Sequence, residues 1–228
     1  MSGSDAQPLP VAPTKRRHPA FPLSFVTTGR CLLLVAGGDL GASRLATALE
    51  FDWQRIVFVE ANPVPLTREL AATDDRVELR ERDVEEADVE GVDLVIESTM
   101  DDELAGKLAG WCRARRIPFN AMDKLEWCDV FYSALIPRGP LLVSITSGGE
   151  SPALAALLRR LLAKHMGPGW CNAALLMAET RRSLPRSPAR MKMLKSVSED
   201  EGFLTCLAEN DIGGMRRHLE DAVRRMSM

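Results

Sequence analysis

The hydrophobic pattern starts late. Residues 1–20 are rich in Pro, Ser and Ala, with almost no large apolar side chain to anchor them, and predict a disordered tail. From Arg30 the chain switches to a continuous apolar run, Cys31-Leu-Leu-Leu-Val-Ala36, that ends at Gly37 and Gly38; residues 43–49 then carry apolar side chains at helical spacing. The segment reads as strand, glycine turn and helix. A second buried strand is predicted over residues 55–60, β-branched and bounded by Asn62-Pro63. Residues 77–80 form a short third, residues 92–97 a fourth, residues 102–115 a helix, and Ile117-Pro-Phe-Asn120 begins a fifth strand. Strands alternating with helices at this spacing imply βαβ crossovers and a mostly parallel sheet.

Beyond Asp123 the alternation weakens. Residues 130–135 and 140–146 read as two extended segments around the turn Pro137-Arg-Gly139. Ser151-Pro152 then opens a helix, with Ser151 as its cap and proline in the first turn, where a missing N–H costs nothing. Residues 172–226 are helix-forming, interrupted at Pro185, Pro188 and Gly213-Gly214, and no internal repeat is visible.

Composition narrows the class. With 228 residues, 46% of them hydrophobic, the chain can bury one domain and a smaller companion. Its apolar runs fall far short of the ~20 residues that span a bilayer. The basic stretch Lys15-Arg-Arg-His18 is followed by a segment too broken by Pro and polar residues for a signal peptide, so a cytoplasmic location is expected. Five separated cysteines without a C-x-x-C pair suit reduced thiols, and the three histidines lie away from any cysteine pair, so no metal site is expected. Residues 1–150 hold 16 Lys/Arg against 24 Asp/Glu, and residues 151–228 hold 13 against 8. The basic second part is either a solvated helical surface or a surface that attracts a polyanion. Nucleic acid fits poorly, because aromatics make up only 5% of the chain and none interleave with the basic residues.

The turn after the first strand carries the candidate chemistry. Aligned to G-x-G-x-x-G it gives Ala36-Gly37-Gly38-Asp39-Leu40-Gly41, in which glycines permit a tight turn, close approach to a pyrophosphate and packing of helix on strand. Glu60, 22 residues after Gly38, ends the second strand, where a carboxylate can accept from the adenine-ribose hydroxyls and favours NAD over NADP. On the residues alone, a plain chain turn and a solvated strand end remain an open alternative.

Two further stretches, Ser98-Thr99-Met100-Asp101-Asp102 and Asn120-Ala-Met-Asp123 through Ser144-Ile-Thr-Ser-Gly-Gly-Glu-Ser-Pro152, together with the glycine turn, resemble the precorrin-2 dehydrogenase and sirohydrochlorin ferrochelatase family, which includes the N-terminal half of multifunctional siroheme synthases. The similarity runs from Phe21 to Lys164 and fades in the C-terminal helices. Ala36, Met100, Val130 and Ser133 depart from the family pattern.

The resemblance implies an α/β fold: a Rossmann-type parallel sheet (residues 21–122), a small α+β dimerisation region (123–165) and a helical C-terminal domain (166–228), assembled as a homodimer. It implies NAD as cofactor and precorrin-2, an octacarboxylate tetrapyrrole, as substrate. Ala36, Gly37, Gly38, Asp39, Leu40, Glu60, Ser98 and Thr99 would hold the cofactor, and Asp123 would be the general acid or base. Ser147, Gly148, Gly149, Ser151 and Arg138 would meet the substrate carboxylates, with Arg159 and Arg160 as additional partners. An Asp after a strand is also a common turn former, and each of these arginines, taken singly, reads more readily as surface charge than as a ligand. The family allows two alternatives to simple oxidation: a bifunctional enzyme that also inserts ferrous iron, and a non-catalytic protein that binds NAD or a tetrapyrrole.

Overall fold

The computed structural model describes residues 20–226, so the predicted N-terminal tail lies outside the described residues except for Ala20. The chain divides into two compact units between Phe131 and Tyr132.

The first unit is built on a five-stranded parallel sheet of order β3-β2-β1-β4-β5. Its strands are β1 (Cys31–Ala36), β2 (Arg55–Val59), β3 (Val77–Arg80), β4 (Leu94–Ser98) and β5 (Phe119–Ala121). All six residues of β1 are buried, because it lies between β2 and β4 with both faces covered. This is why its sequence is continuously apolar and does not alternate. Register places Val35 beside Val59 and Glu97, and Ala36 beside Ser98, so three strands end together at one edge. On one face Leu33, Val35, Val57, Val95 and Phe119 pack with Leu108 and Ala109 of a crossing helix into a single core.

The helices are α1 (Gly38–Leu49), α2 (Pro65–Ala72) and α3 (Asp102–Arg115). Helix α1 starts five residues before the predicted apolar spacing, because Gly41 and Ala42 pack inward without bulky side chains to mark the pattern. Helix α2 has no counterpart in the sequence reading: its buried residue is Thr67, which gives no hydrophobic signal. Strand β4 starts at Leu94, later than expected, because Asp93 is spent on a clasp, accepting from the Cys31 amide at 2.8 Å and from Arg30 at 2.6 Å.

The short 3₁₀ turn Glu86–Val89 is fastened to β3 by Asp88, whose buried carboxylate receives Arg80, Arg82 (2.7 Å) and the Glu85 amide (2.7 Å). Burial alone would raise its pKa, but these donors outweigh it and hold the group at about 2, against an ordinary 3.8.

The second unit opens with the antiparallel hairpin β6 (Ala134–Arg138) and β7 (Leu141–Ile145), which turns at Gly139-Pro140: Pro137 and Arg138, expected in the turn, pair with Leu142 and Leu141 inside the ladder, and the first strand begins at Ala134, not at residue 130. Helices α4 (Pro152–Ala163), α5 (Pro168–Ser183), α6 (Pro188–Ser198), α7 (Glu201–Glu209) and α8 (Ile212–Met226) follow. Phe203, Met215, Leu219, Met193 and Leu194 form a second core among α6, α7 and α8. Two expectations are corrected here. Ser151 stands at the N-cap of α4 without a capping side-chain bond; its amide donates instead to Ser147 Oγ at 2.9 Å. Gly213-Gly214 does not interrupt a helix but sits in the first turn of α8, where a Cβ on Gly214 would collide with Cys206 and Asp211. The break falls at Asn210, in the left-handed conformation that Asn tolerates.

Candidate functional site

At the carboxyl edge of the first unit's sheet, the ends of β1, β2 and β4 deliver the predicted cofactor residues. Ala36 is the last residue of β1 and Gly37 is extended (φ −146°), so neither needs the left-handed region; Gly38 does (φ 60°). An alanine in place of the first glycine of the fingerprint is therefore accommodated. Gly41 serves as the close-packing glycine: a Cβ there would lie 3.1 Å from both Ala36 Cβ and Phe58 Cζ. Asp39 and Leu40 are exposed on the first turn of α1.

Glu60 follows β2 and bends back over the turn. Its Oε1 accepts from the Gly38 amide at 2.8 Å, whereas its Oε2 is buried without a hydrogen-bond partner. Ser98, 4% exposed at the end of β4, likewise has a buried Oγ without a partner. Buried polar atoms are normally paired, so two orphans beside a glycine turn mark a place for a hydroxylated ligand. A dinucleotide fits this set: the free amides at the start of α1 suit its pyrophosphate and Glu60 Oε2 its ribose hydroxyls. Thr99 differs from expectation in employment, since both its amide and its hydroxyl donate to Glu97.

Asp123 lies in the turn after β5, exposed and left-handed (φ 58°). Asn120, three residues earlier, donates from Nδ2 to the Val130 carbonyl at 2.9 Å and so fastens the segment that follows the turn. Beneath Asp123 is a pair absent from the sequence reading. Glu97 is fully buried, and Lys124, 7% exposed, donates from Nζ to Glu97 Oε2 at 3.3 Å and to the Thr99 carbonyl at 3.0 Å. A glutamate inside the apolar run of β4 was the available signal.

In the second unit, Gly148 and Gly149 are both left-handed (φ 66° and 84°), which shapes the loop before α4. The Gly148 amide donates to Thr146 Oγ1 at 3.1 Å, and Ser147 Oγ is taken by Ser151. Arg138 spends Nε on the Met166 carbonyl (2.5 Å) and Nη1 on the Pro137 carbonyl (2.7 Å). Arg159 and Arg160 are exposed on α4.

The sheet order, the left-handed glycine turn and the acidic residue closing β2 define the first unit as a Rossmann-type dinucleotide-binding domain. Comparison with known proteins makes this specific. A family model described as NAD(P)-binding matches residues 23–134, and the model of the sirohaem biosynthesis protein central region matches residues 138–165. A siroheme synthase of Ectopseudomonas mendocina is 34% identical over 139 residues, 61% of this chain and 29% of that protein. One of Stutzerimonas stutzeri is 29% identical over 204 residues, 88% of this chain and 42% of that protein. The chain thus spans less than half the length of these curated relatives. The solved structure of SirC, a precorrin-2 dehydrogenase, shares the fold, with a TM-score of 0.65 at 17% identity over 91% of this chain and 99% of that one. Along this chain an NAD(P)-binding match is thus followed directly by a match to the sirohaem central region.

Proposed function

We propose that this protein is an NAD-dependent dehydrogenase that oxidises precorrin-2 to sirohydrochlorin. The observation that carries the reading is the unpartnered, buried Oε2 of Glu60 beside the Gly38 turn, in a chain whose next segment is of sirohaem type. NAD, when bound, supplies the acceptor for the hydride that the tetrapyrrole gives up, and a proton leaves to balance the charge. The chain's own residues do the rest. The first turn of α1 receives the pyrophosphate, with Gly37 and Gly38 leaving room for its approach and the Gly38 amide holding Glu60 in place; Glu60 and Ser98 meet hydroxyls, and Asp123 takes the proton from the substrate.

Ser147, Gly148, Gly149 and Ser151 form a glycine-shaped loop suited to substrate carboxylates, although the Gly148 and Ser151 amides are already engaged within it.

A homodimer is part of this proposal. Leu154, Leu157, Leu158 and Leu161 on α4 recur at i, i+3, i+4 and i+7 and are 60%, 41%, 43% and 49% exposed, an apolar stripe of the kind a second copy would cover. Among the described residues no helix is long and apolar enough to cross a membrane, and all five cysteines are free, which suits a cytoplasmic setting.

The test is turnover of enzymatically generated precorrin-2 in metal-free buffer with NAD or NADP. Sirohydrochlorin formed with NAD, and more slowly with NADP, is expected; no product with either cofactor rejects the dehydrogenase.

A further inference from the structure

We propose that the buried Glu97–Lys124 pair is a positioning device for Asp123, a role that rests on the reading of Asp123 as the acid–base group. Glu97 reaches the turn on both sides of that residue. Its backbone carbonyl accepts from the Met122 amide at 3.1 Å, and its carboxylate receives Lys124 Nζ at 3.3 Å. The same ammonium donates to the Thr99 carbonyl at 3.0 Å, and the Thr99 amide and hydroxyl return to Glu97 Oε1. Asp102 Oδ1 stands 3.9 Å from Nζ and adds a second, exposed counter-charge.

The result is a closed ring that ties the end of β4 to the residues before and after Asp123. Asp123 sits at its apex in the left-handed region, a conformation that Asp tolerates better than most residues.

Stability alone does not account for the pair. Desolvating two charges is costly, and exchanging a buried ion pair for apolar side chains of similar size often leaves stability unchanged or raises it. What an ion pair supplies that apolar packing does not is direction: Lys124 has one place where its charge is satisfied, and that place fixes the backbone next to Asp123. The ring also contains Thr99, next to the orphaned Ser98, so one set of bonds sets both the cofactor edge of β4 and the acid–base turn.

The experiment compares Lys124→Met alone with the double variant Glu97→Gln/Lys124→Met, each with and without Asp123→Asn. The single variant leaves a buried carboxylate without its counter-charge and is expected to lower Tm; the double variant removes both charges and restores it. With Tm restored, kcat is expected to stay roughly tenfold to a hundredfold below wild type, because the base is misplaced. In the Asp123→Asn background the same two changes are expected to cost less than about twofold, since a residue acting through another has nothing left to act through. A double variant with wild-type kcat, or a full loss added on top of Asp123→Asn, overturns the proposal. Amide hydrogen exchange at residues 122–125 judges the pair without any turnover: about tenfold faster local exchange in the double variant is expected, and unchanged exchange overturns the proposal. Should wild type oxidise no precorrin-2 while that exchange accelerates, the catalytic reading falls and the clamp stands.

Discussion

Glu60 holds one carboxylate oxygen against the Gly38 amide and keeps the other buried and unpartnered. A ligand hydroxyl reaching Oε2 would gain a charge-assisted hydrogen bond with no desolvation left to supply, worth about 1.5–3 kcal/mol. Glu60→Ala should therefore raise the Kd for NAD by roughly tenfold or more, measured by calorimetry; unchanged affinity removes Glu60 from the site. Asp123 has a different signature. Asp123→Asn should lower kcat by about 10²- to 10⁴-fold while NAD affinity stays at the wild-type level; full turnover in that variant would leave Asp123 a turn former. Single positions such as Gly38, Gly41 and Glu60 were legible in the sequence because the fingerprint ties each to a local conformation or a fixed offset along the chain. The Glu97–Lys124 pair was not, because its members lie 27 residues apart and meet only when β4 and β5 become neighbours. The same holds for Arg138, whose attachment to Met166 depends on where the loop before α5 passes.

At the level of elements, packing depth governs what a change costs. Gly41 brings α1 onto β1 and β2, and the 3.1 Å gap to Ala36 and Phe58 leaves little room for a side chain. Gly41→Val should destabilise the fold by about 1–3 kcal/mol by overpacking, seen as a lower midpoint in urea; an unchanged midpoint would show that the helix can shift freely. The 3₁₀ turn after β3 responds to acid. Asp88 binds its proton less tightly folded (about 2) than at its ordinary 3.8, so its ion pairs favour folding above the higher value. That contribution, on the order of 2 kcal/mol, is lost as pH falls from about 4 to about 2. Asp88→Asn should flatten this part of the stability–pH curve relative to wild type. Cys112 lies at the opposite extreme: burial pushes its thiol up to about 12, which keeps it from reacting at neutral pH. The elements most readable in advance were those with strong periodicity, and α3 spans the predicted residues 102–115. Helix α2 escaped because its eight residues bury only a threonine, and the α7–α8 break was misplaced because Asn210, not the glycine pair, takes the left-handed cap.

For the molecule as a whole, the sequence showed a parallel α/β unit followed by a hairpin and helices, because alternation and its loss are long-range patterns. Assembly leaves no periodic mark of its own, and the leucines of α4 became informative only once the structure showed them exposed. Leu157→Glu/Leu161→Glu should convert a dimer to a monomer in sedimentation velocity without unfolding α4; a wild-type monomer would remove the dimer from the account. The central claim concerns chemistry. It is tested most directly by mixing the protein with precorrin-2 and NAD without metal and following NADH and sirohydrochlorin absorbance in the same sample. The account predicts that both rise together in equal amounts, and that Asp123→Asn suppresses both. NAD bound tightly while neither product forms would contradict it and leave a protein that binds dinucleotide without turnover.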